Sequence, residues 1–96
     1  MNGKPARRYR SNASIIADIL EAVKEEERLG KTRIMQKANL STDRLEPRLS
    51  ELIQQGLIQE ETEDDRKYYR LTERGFDFLE QYQRASAFLN AFGIGL

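Results

Sequence analysis

The chain has 96 residues, 39% of them hydrophobic and 33% charged, which predicts one globular domain with a modest core. It contains no cysteine and no histidine, so disulfides, thiol chemistry, typical zinc sites and histidine-activated nucleophiles are excluded. The short chain also lacks a glycine-rich phosphate loop. We therefore expect a protein that is not an enzyme and that holds no metal and no cofactor.

The net charge is zero, but the charges are unevenly distributed. Residues 1–48 contain eleven Lys and Arg against seven Asp and Glu, whereas residues 49–96 contain five against nine. Because local patches decide contact with phosphate, zero net charge does not exclude nucleic acid. No apolar run reaches the length of a membrane span, and no apolar segment follows the basic N-terminus. We expect no membrane partner, no signal peptide and a cytoplasmic location.

The first eleven residues form a basic N-terminal arm without an acidic residue. An arm of this kind can follow DNA phosphates or enter a minor groove, or it can be a solvated, flexible terminus. Both interpretations stay open here. The DNA-contacting candidates of the arm are Arg7, Arg8 and Arg10.

Three helices are predicted next. Apolar residues recur every three or four positions in residues 12–28, which indicates a first helix capped by Ser11 or Asn12. Residues 32–38 predict a second helix with Thr32 as its cap. Asn39 suits a tight turn, and Ser41 can cap a third helix over residues 42–55. Two short helices joined by such a turn are typical of a helix-turn-helix.

Pro47 lies inside the third helix, where it removes a backbone hydrogen bond. Either the helix bends there, or its regular part begins near Glu46. We favour the bend, because it keeps Leu45 and Leu49 on one buried face. Gly56 is the expected C-terminal stop of this helix.

A β-hairpin and a long helix complete the chain. Strands begin at Leu57 and at Lys67, and the connecting residues 59–66 are rich in acid, with an exposed tip. Thr72 can cap a last helix that extends to about Phe92. The fold class is therefore mainly α with a small β-hairpin (α+β), in the order of a winged helix-turn-helix over residues 12–72, followed by a long C-terminal helix in residues 73–96.

The last helix carries an apolar stripe with coiled-coil spacing. This helix could simply cover the core of one chain. However, the preceding elements already close a core, so its distal apolar residues would form an exposed patch. We expect that patch to be buried in a homodimer through the C-terminal helix. The seam consists of Phe78, Tyr82, Ala85, Leu89 and Phe92.

Three segments of the chain carry a resemblance to known proteins: GKTRIMQKANLS (residues 30–41), LSELIQQGLI (residues 49–58) and YYRLTERGFDFLE (residues 68–80). Together they resemble an archaeal family of winged helix-turn-helix DNA-binding proteins. Members of this family are small dimers whose C-terminal helices pair as an antiparallel coiled coil. The resemblance implies double-stranded DNA as the partner, transcription regulation or a chromatin role, and a nucleoid-associated location.

The resemblance also implies how DNA is contacted. The third helix would enter the major groove, and the wing, as the hairpin is called in such proteins, would contact the flanking backbone. The implied contacts are Lys31, Arg33 and Lys37 on the second helix, Thr42, Arg44 and Arg48 on the third, and Arg66 and Lys67 on the wing.

A second interpretation is a winged helix that binds protein instead of DNA. Zero net charge, the acidic wing and Pro47 favour it, and it stays open beside a non-specific chromatin-associated role. A small-molecule ligand is not indicated, because Tyr68, Tyr69 and Tyr82 are more typical of packing than of a pocket.

Overall fold

The computed structural model describes residues 10–96, which form four α-helices and one antiparallel hairpin. In chain order the elements are α1 (Asn12–Lys24), α2 (Lys31–Ala38), α3 (Thr42–Gln54), β1 (Ile58–Glu63), β2 (Arg66–Leu71) and α4 (Glu73–Asn90). This order confirms the mainly helical α+β fold. The rest of the basic arm, with Arg7 and Arg8, lies outside the described residues.

The first helix is shorter than predicted. The Ser11 hydroxyl accepts a hydrogen bond from the Ser14 N–H at 3.0 Å, which confirms Ser11 as the cap. α1 then ends at Lys24, since the three glutamates that follow are unfavourable at the negative end of a helix dipole. Beyond them, the backbone of Leu29 pairs with Tyr69 through hydrogen bonds of 2.9 and 2.7 Å. Leu29 is thereby added to the hairpin as a third strand of one residue, next to β2.

The second helix begins one residue before the predicted Thr32, so Thr32 as its cap was wrong. Its N-cap is Gly30, in extended conformation, and Lys31 is its first residue. The pairing of Leu29 with the hairpin fixes the chain up to that point and leaves Gly30 as the only connection to α2. The turn after α2 is as expected, because Asn39 is left-handed with φ of 56°.

The third helix is continuous through Pro47. Leu45, Leu49 and Leu52 are all buried, so the apolar stripe predicted for this helix is confirmed. A helix that begins near Glu46 was the wrong alternative.

Gly56 ends the third helix, as predicted. Its φ of 77° is a left-handed conformation, and the Leu57 N–H donates to the Leu52 carbonyl at 2.9 Å. These features define a Schellman motif, in which glycine avoids the cost of a Cβ. Leu57 is buried directly after it, and the chain turns into β1.

The hairpin is a short antiparallel pair in which Ile58 is opposite Leu71 and Glu63 is opposite Arg66. Asp64 and Asp65 form its tip with φ of 52° and 64°, as a type I′ turn requires. The base of the hairpin is buried and its tip is exposed.

The last helix joins the core through its first half. The Thr72 hydroxyl accepts a hydrogen bond from the Gly75 N–H at 3.0 Å, which confirms Thr72 as the cap. Leu79 is buried, whereas the residues after Tyr82 extend beyond the core. The centre of the core consists of fully buried residues from all four helices and the hairpin: Ile19, Leu20, Val23, Ile34, Leu45, Leu52, Ile58 and Leu79.

Candidate nucleic-acid interface

A concave surface of about 680 Å³ lies between the start of α2, the exposed side of α3 and the hairpin. We call it the groove. Two cations from α2 and two from β2 line it, with one acid from α3 and one from β1. These six residues are Lys31, Arg33, Arg66, Lys67, Glu46 and Glu60. The fold therefore brings together two of the sequence-predicted clusters of cations.

The cations of α2 all lie in surface ion pairs. Lys31 pairs with Glu46 of α3. Arg33 contacts Glu26 at 3.1 Å, just after the end of α1. These pairs leave α2 with less free positive charge than its sequence implies.

Lys37, the third cation of α2, is held by Glu25 at 2.5 Å. The hydrogen bond from Lys37, with its charge, holds the pKa of the Glu25 carboxyl below its ordinary value. Glu25 is therefore ionised over the whole neutral range, and the positive charge of Lys37 is partly compensated.

The two arginines of α3 have no carboxylate within 4.0 Å in residues 10–96. Arg44 is exposed. Arg48 lies back across the helix and donates to the Arg44 carbonyl at 3.0 Å and to the Asn12 side chain at 3.2 Å. Its buried Nε has no hydrogen-bond partner among the described residues. Arg44 is thus the more available cation of α3.

The groove side of the hairpin is mixed in charge. Lys67 lies 3.9 Å from Glu60, while Arg66 has no acidic partner within 4.0 Å in the described part of the chain. The Tyr69 side chain is buried beside them. Burial, followed by the negative charges of Glu60 and Glu46, raises the pKa of Tyr69. Tyr69, which lines the groove, therefore remains protonated at neutral pH.

The helices at the groove begin without side-chain caps. Gly30 at the start of α2 has no side chain to accept a hydrogen bond, and Ser41 at the start of α3 makes no such bond. By contrast, hydroxyls cap both α1 and α4. The first N–H groups of α2 and α3 therefore have no side-chain acceptor at the cap position, although the Arg44 N–H donates to the Ser41 carbonyl at 3.2 Å.

Arg10 is the one arm candidate that the structure describes. It contacts Asp18 at 2.6 Å and donates to the carbonyls of Ala38 and Asn39 at 2.8 and 3.0 Å. A cation at the C-terminal end of α2 is favoured by the helix dipole. Arg10 thus joins the start of α1 to the turn before α3.

A family model described as winged helix-turn-helix matches residues 9–89, which is most of the chain. The chain belongs to the winged helix-turn-helix family. A comparison with curated proteins finds no match.

Two solved structures are similar to this winged helix-turn-helix protein. Sso10a-2, a DNA-binding protein from Sulfolobus solfataricus, is 26% identical, with a TM-score of 0.74 over 88% of this chain and 90% of that one. F93 from STIV, a winged-helix DNA-binding protein, is 28% identical, with a TM-score of 0.64 over 81% of this chain and 89% of that one. In both comparisons the alignment with this protein covers nearly the whole length of the solved chain.

The outer face of the wing carries several ion pairs between arginines and glutamates. Arg28 stacks on the Tyr68 ring, 4.2 Å from its centroid, and pairs with Glu63. Arg70 donates to Glu61 at 2.8 Å, and this hydrogen bond, with the charge of Arg70, lowers the pKa of the Glu61 carboxyl. Glu61 and Glu63 are thus paired with arginines, whereas Asp64 and Asp65 at the exposed tip form no ion pair within residues 10–96.

The C-terminal half of α4 exposes aromatic side chains. Phe88 and Phe92 are 65% and 68% exposed, and their ring centroids are 5.3 Å apart. The expected seam residues follow the same side of the helix: Tyr82 and Leu89 are half-buried, while Ala85 is exposed. Phe78, also a seam candidate, is 38% exposed.

The predicted contacts of α3 left out one residue that lines the groove. Ser50 lies opposite the leucines of α3, where a helical count from Leu45 places it, but it was not included among the predicted DNA contacts. Thr42, which was predicted, donates to the Met35 sulfur at 3.5 Å. The pairing of Lys31 with Glu46 has no comparable signal in the sequence.

Two further observations concern residues 10–96 only. They contain no cluster of His, Cys, Asp and Glu that could hold a metal ion. None of their helices combines the length and the apolar composition that a membrane crossing requires.

Proposed function

We propose that this protein binds double-stranded DNA, with α3 in the major groove and with the start of α2 and the wing on the flanking phosphates. One observation carries the proposal. Lys31 and Arg33 from α2 line the same concave surface as Arg66 and Lys67 from β2, beside the exposed face of α3. Cations from distant parts of the chain thus border one helix of suitable size for the major groove.

The ion pairs of these cations are compatible with binding. Exposed ion pairs contribute only about 0–1 kcal/mol each, so a DNA phosphate can replace the carboxylate at Arg33, Lys37 or Lys67. The ammonium of Lys31 has three donors, so it can contact a phosphate while it holds Glu46. Lys31, Arg33, Lys37 and Lys67 would therefore make weaker net contributions than Arg44 and Arg66, which have no carboxylate to lose. Arg48 and Thr42 would support α3 through their contacts with Asn12 and Met35. Arg7 and Arg8 would follow the DNA backbone, with Arg10 holding the base of the arm against α1 and the end of α2.

We further propose a homodimer formed through α4. The apolar stripe that includes the exposed Phe78 and Phe92 and the half-buried Leu89 suits a second copy of the same helix. A two-fold dimer would present two α3 helices to half-sites spaced by about one helical turn or a multiple of it. On this division, residues 12–72 bind DNA and residues 73–96 dimerise.

A dimer of this kind fits a transcriptional regulator, and the same surface would also serve a chromatin-associated protein. Selection of bound duplexes from a random pool, with the mass of the complex measured by light scattering, separates the two. A palindromic motif bound by two chains supports a regulator. Length-dependent coating without a motif supports the chromatin role.

Salt dependence tests DNA binding itself. We expect the logarithm of the affinity for a short duplex to fall linearly with the logarithm of salt, by about 0.9 for each phosphate contacted. An affinity that stays constant between low and physiological salt would contradict the proposal. Capture of a protein partner without duplex binding would instead support the interaction-module alternative.

A further inference from the structure

The recognition helix α3 carries more acid than base. It contains Asp43, Glu46 and Glu51 against two arginines, and one of those, Arg48, lies back toward Asn12. Attraction to phosphate therefore does not explain why this helix would enter a DNA groove. An acidic side chain there must meet a hydrogen-bond donor, because a carboxylate near phosphates is otherwise repelled.

Glu46 is the acid placed to meet such a donor. Of the three acids on α3, it alone lines the groove. Its Oε2 is held by Lys31, while its Oε1 accepts no hydrogen bond from residues 10–96. Lys31 thus orients the carboxylate and offsets its charge, and one oxygen remains free.

Major-groove base edges offer few donors. Cytosine presents an N4 amino donor in the major groove and has no acceptor there. Adenine presents an N6 amino donor next to its N7 acceptor, and N7 would repel a carboxylate. Building on the DNA binding proposed above, we propose that Glu46 is a specificity-determining residue that accepts a hydrogen bond from the N4 amino group of a cytosine. Lys31 is its positioning residue.

The test compares Glu46→Ala with Glu51→Ala. Both remove one negative charge from an exposed position of the same helix, but Glu51 does not line the groove. Duplexes bound by each variant are selected from a random pool, and affinities are then measured on the wild-type motif. We expect the wild type and Glu51→Ala to select one cytosine in common, and Glu46→Ala to lose about tenfold discrimination at that position, as for one base-edge contact.

A modified base identifies the atom. N4-methylcytosine at the selected position removes the free amino hydrogen, and 5-methylcytosine keeps it. We expect N4-methylation to weaken the wild type and to leave Glu46→Ala unaffected. An unchanged motif in Glu46→Ala, or no motif for the wild type, overturns this inference while DNA binding stands. No duplex binding by the wild type overturns both.

Discussion

Gly75 at the start of α4 lies against the backbone of Leu57, so that an added Cβ would stand 2.2 Å from the Leu57 carbonyl oxygen. The same Cβ would meet the Leu71 side chain at 2.7 Å. This approach places α4 directly on the base of the wing, and only glycine permits it.

Gly75→Ala is therefore expected to destabilise the protein. Overpacking against a rigid backbone costs about 3 kcal/mol, measured as the free energy of unfolding in urea at constant protein concentration. Gly95→Ala is the matched control, because no atom lies within 4 Å of its Cβ position. Equal stability of the two variants would refute the close approach.

Arg44→Ala is expected to weaken duplex binding by about tenfold and to lower the salt slope by about one. The reason is that Arg44 is exposed on α3 and has no carboxylate within 4.0 Å among the residues that the structure describes. Fluorescence anisotropy over a salt series gives both quantities. Arg84→Ala changes the net charge equally on the distal part of α4, where Arg84 pairs with Glu80 at 3.5 Å. Similar losses in both variants would show that overall charge, and not the position of Arg44, determines affinity.

Leu89→Asp combined with Phe92→Asp should produce a monomer. Charges in a closely packed apolar interface are strongly unfavourable, whereas in a monomer both positions are accessible to water. Sedimentation should find twice 11.2 kDa for the wild type and a single chain for the variant.

The control for the dimer is Phe76→Asp, which changes a 48% exposed aromatic on another face of α4. This variant should remain dimeric. A wild type that sediments as a single chain at high concentration would contradict the proposed seam.

Acid should remove the stabilisation that Glu61 provides through Arg70. The pKa of Glu61 in the folded chain lies below its ordinary value of 4.5, so near that pH the unfolded chain binds more protons and stability rises with pH. The contribution is fully present above about pH 4.5 and is lost as pH falls through the lowered pKa. The difference in unfolding free energy between the wild type and Glu61→Gln should therefore become smaller as the pH falls below about 4.5.

Glu51→Gln serves as the control for this titration, because Glu51 is exposed on α3 and forms no ion pair in residues 10–96. Its difference from the wild type should remain small throughout the pH series. A Glu61→Gln difference that is constant with pH would mean that the contact with Arg70 does not stabilise the fold.

The sequence predicted features whose causes are local. Ser11 and Thr72 as caps, Asn39 and Gly56 as helix ends and the leucine stripe of α3 all follow from residues within one or two turns. The start of α2 was misplaced because Leu29 pairs with Tyr69, forty positions later in the chain.

The site was harder to predict for the same reason. Lysine and arginine positions were visible in the sequence, but their partners were not. Lys31 meets Glu46 and Lys37 meets Glu25 across different elements. Composition therefore indicated more free positive charge on α2 than the folded protein presents.

The surface ion pairs have a consequence for how DNA would be organised. Because this protein has zero net charge, a DNA duplex that is fully covered by it would keep all of its negative phosphate charge. Two occupied duplexes would repel each other and remain soluble and separate. Bringing such segments together would require contact between bound proteins, so occupancy and compaction would be independent properties of the complex.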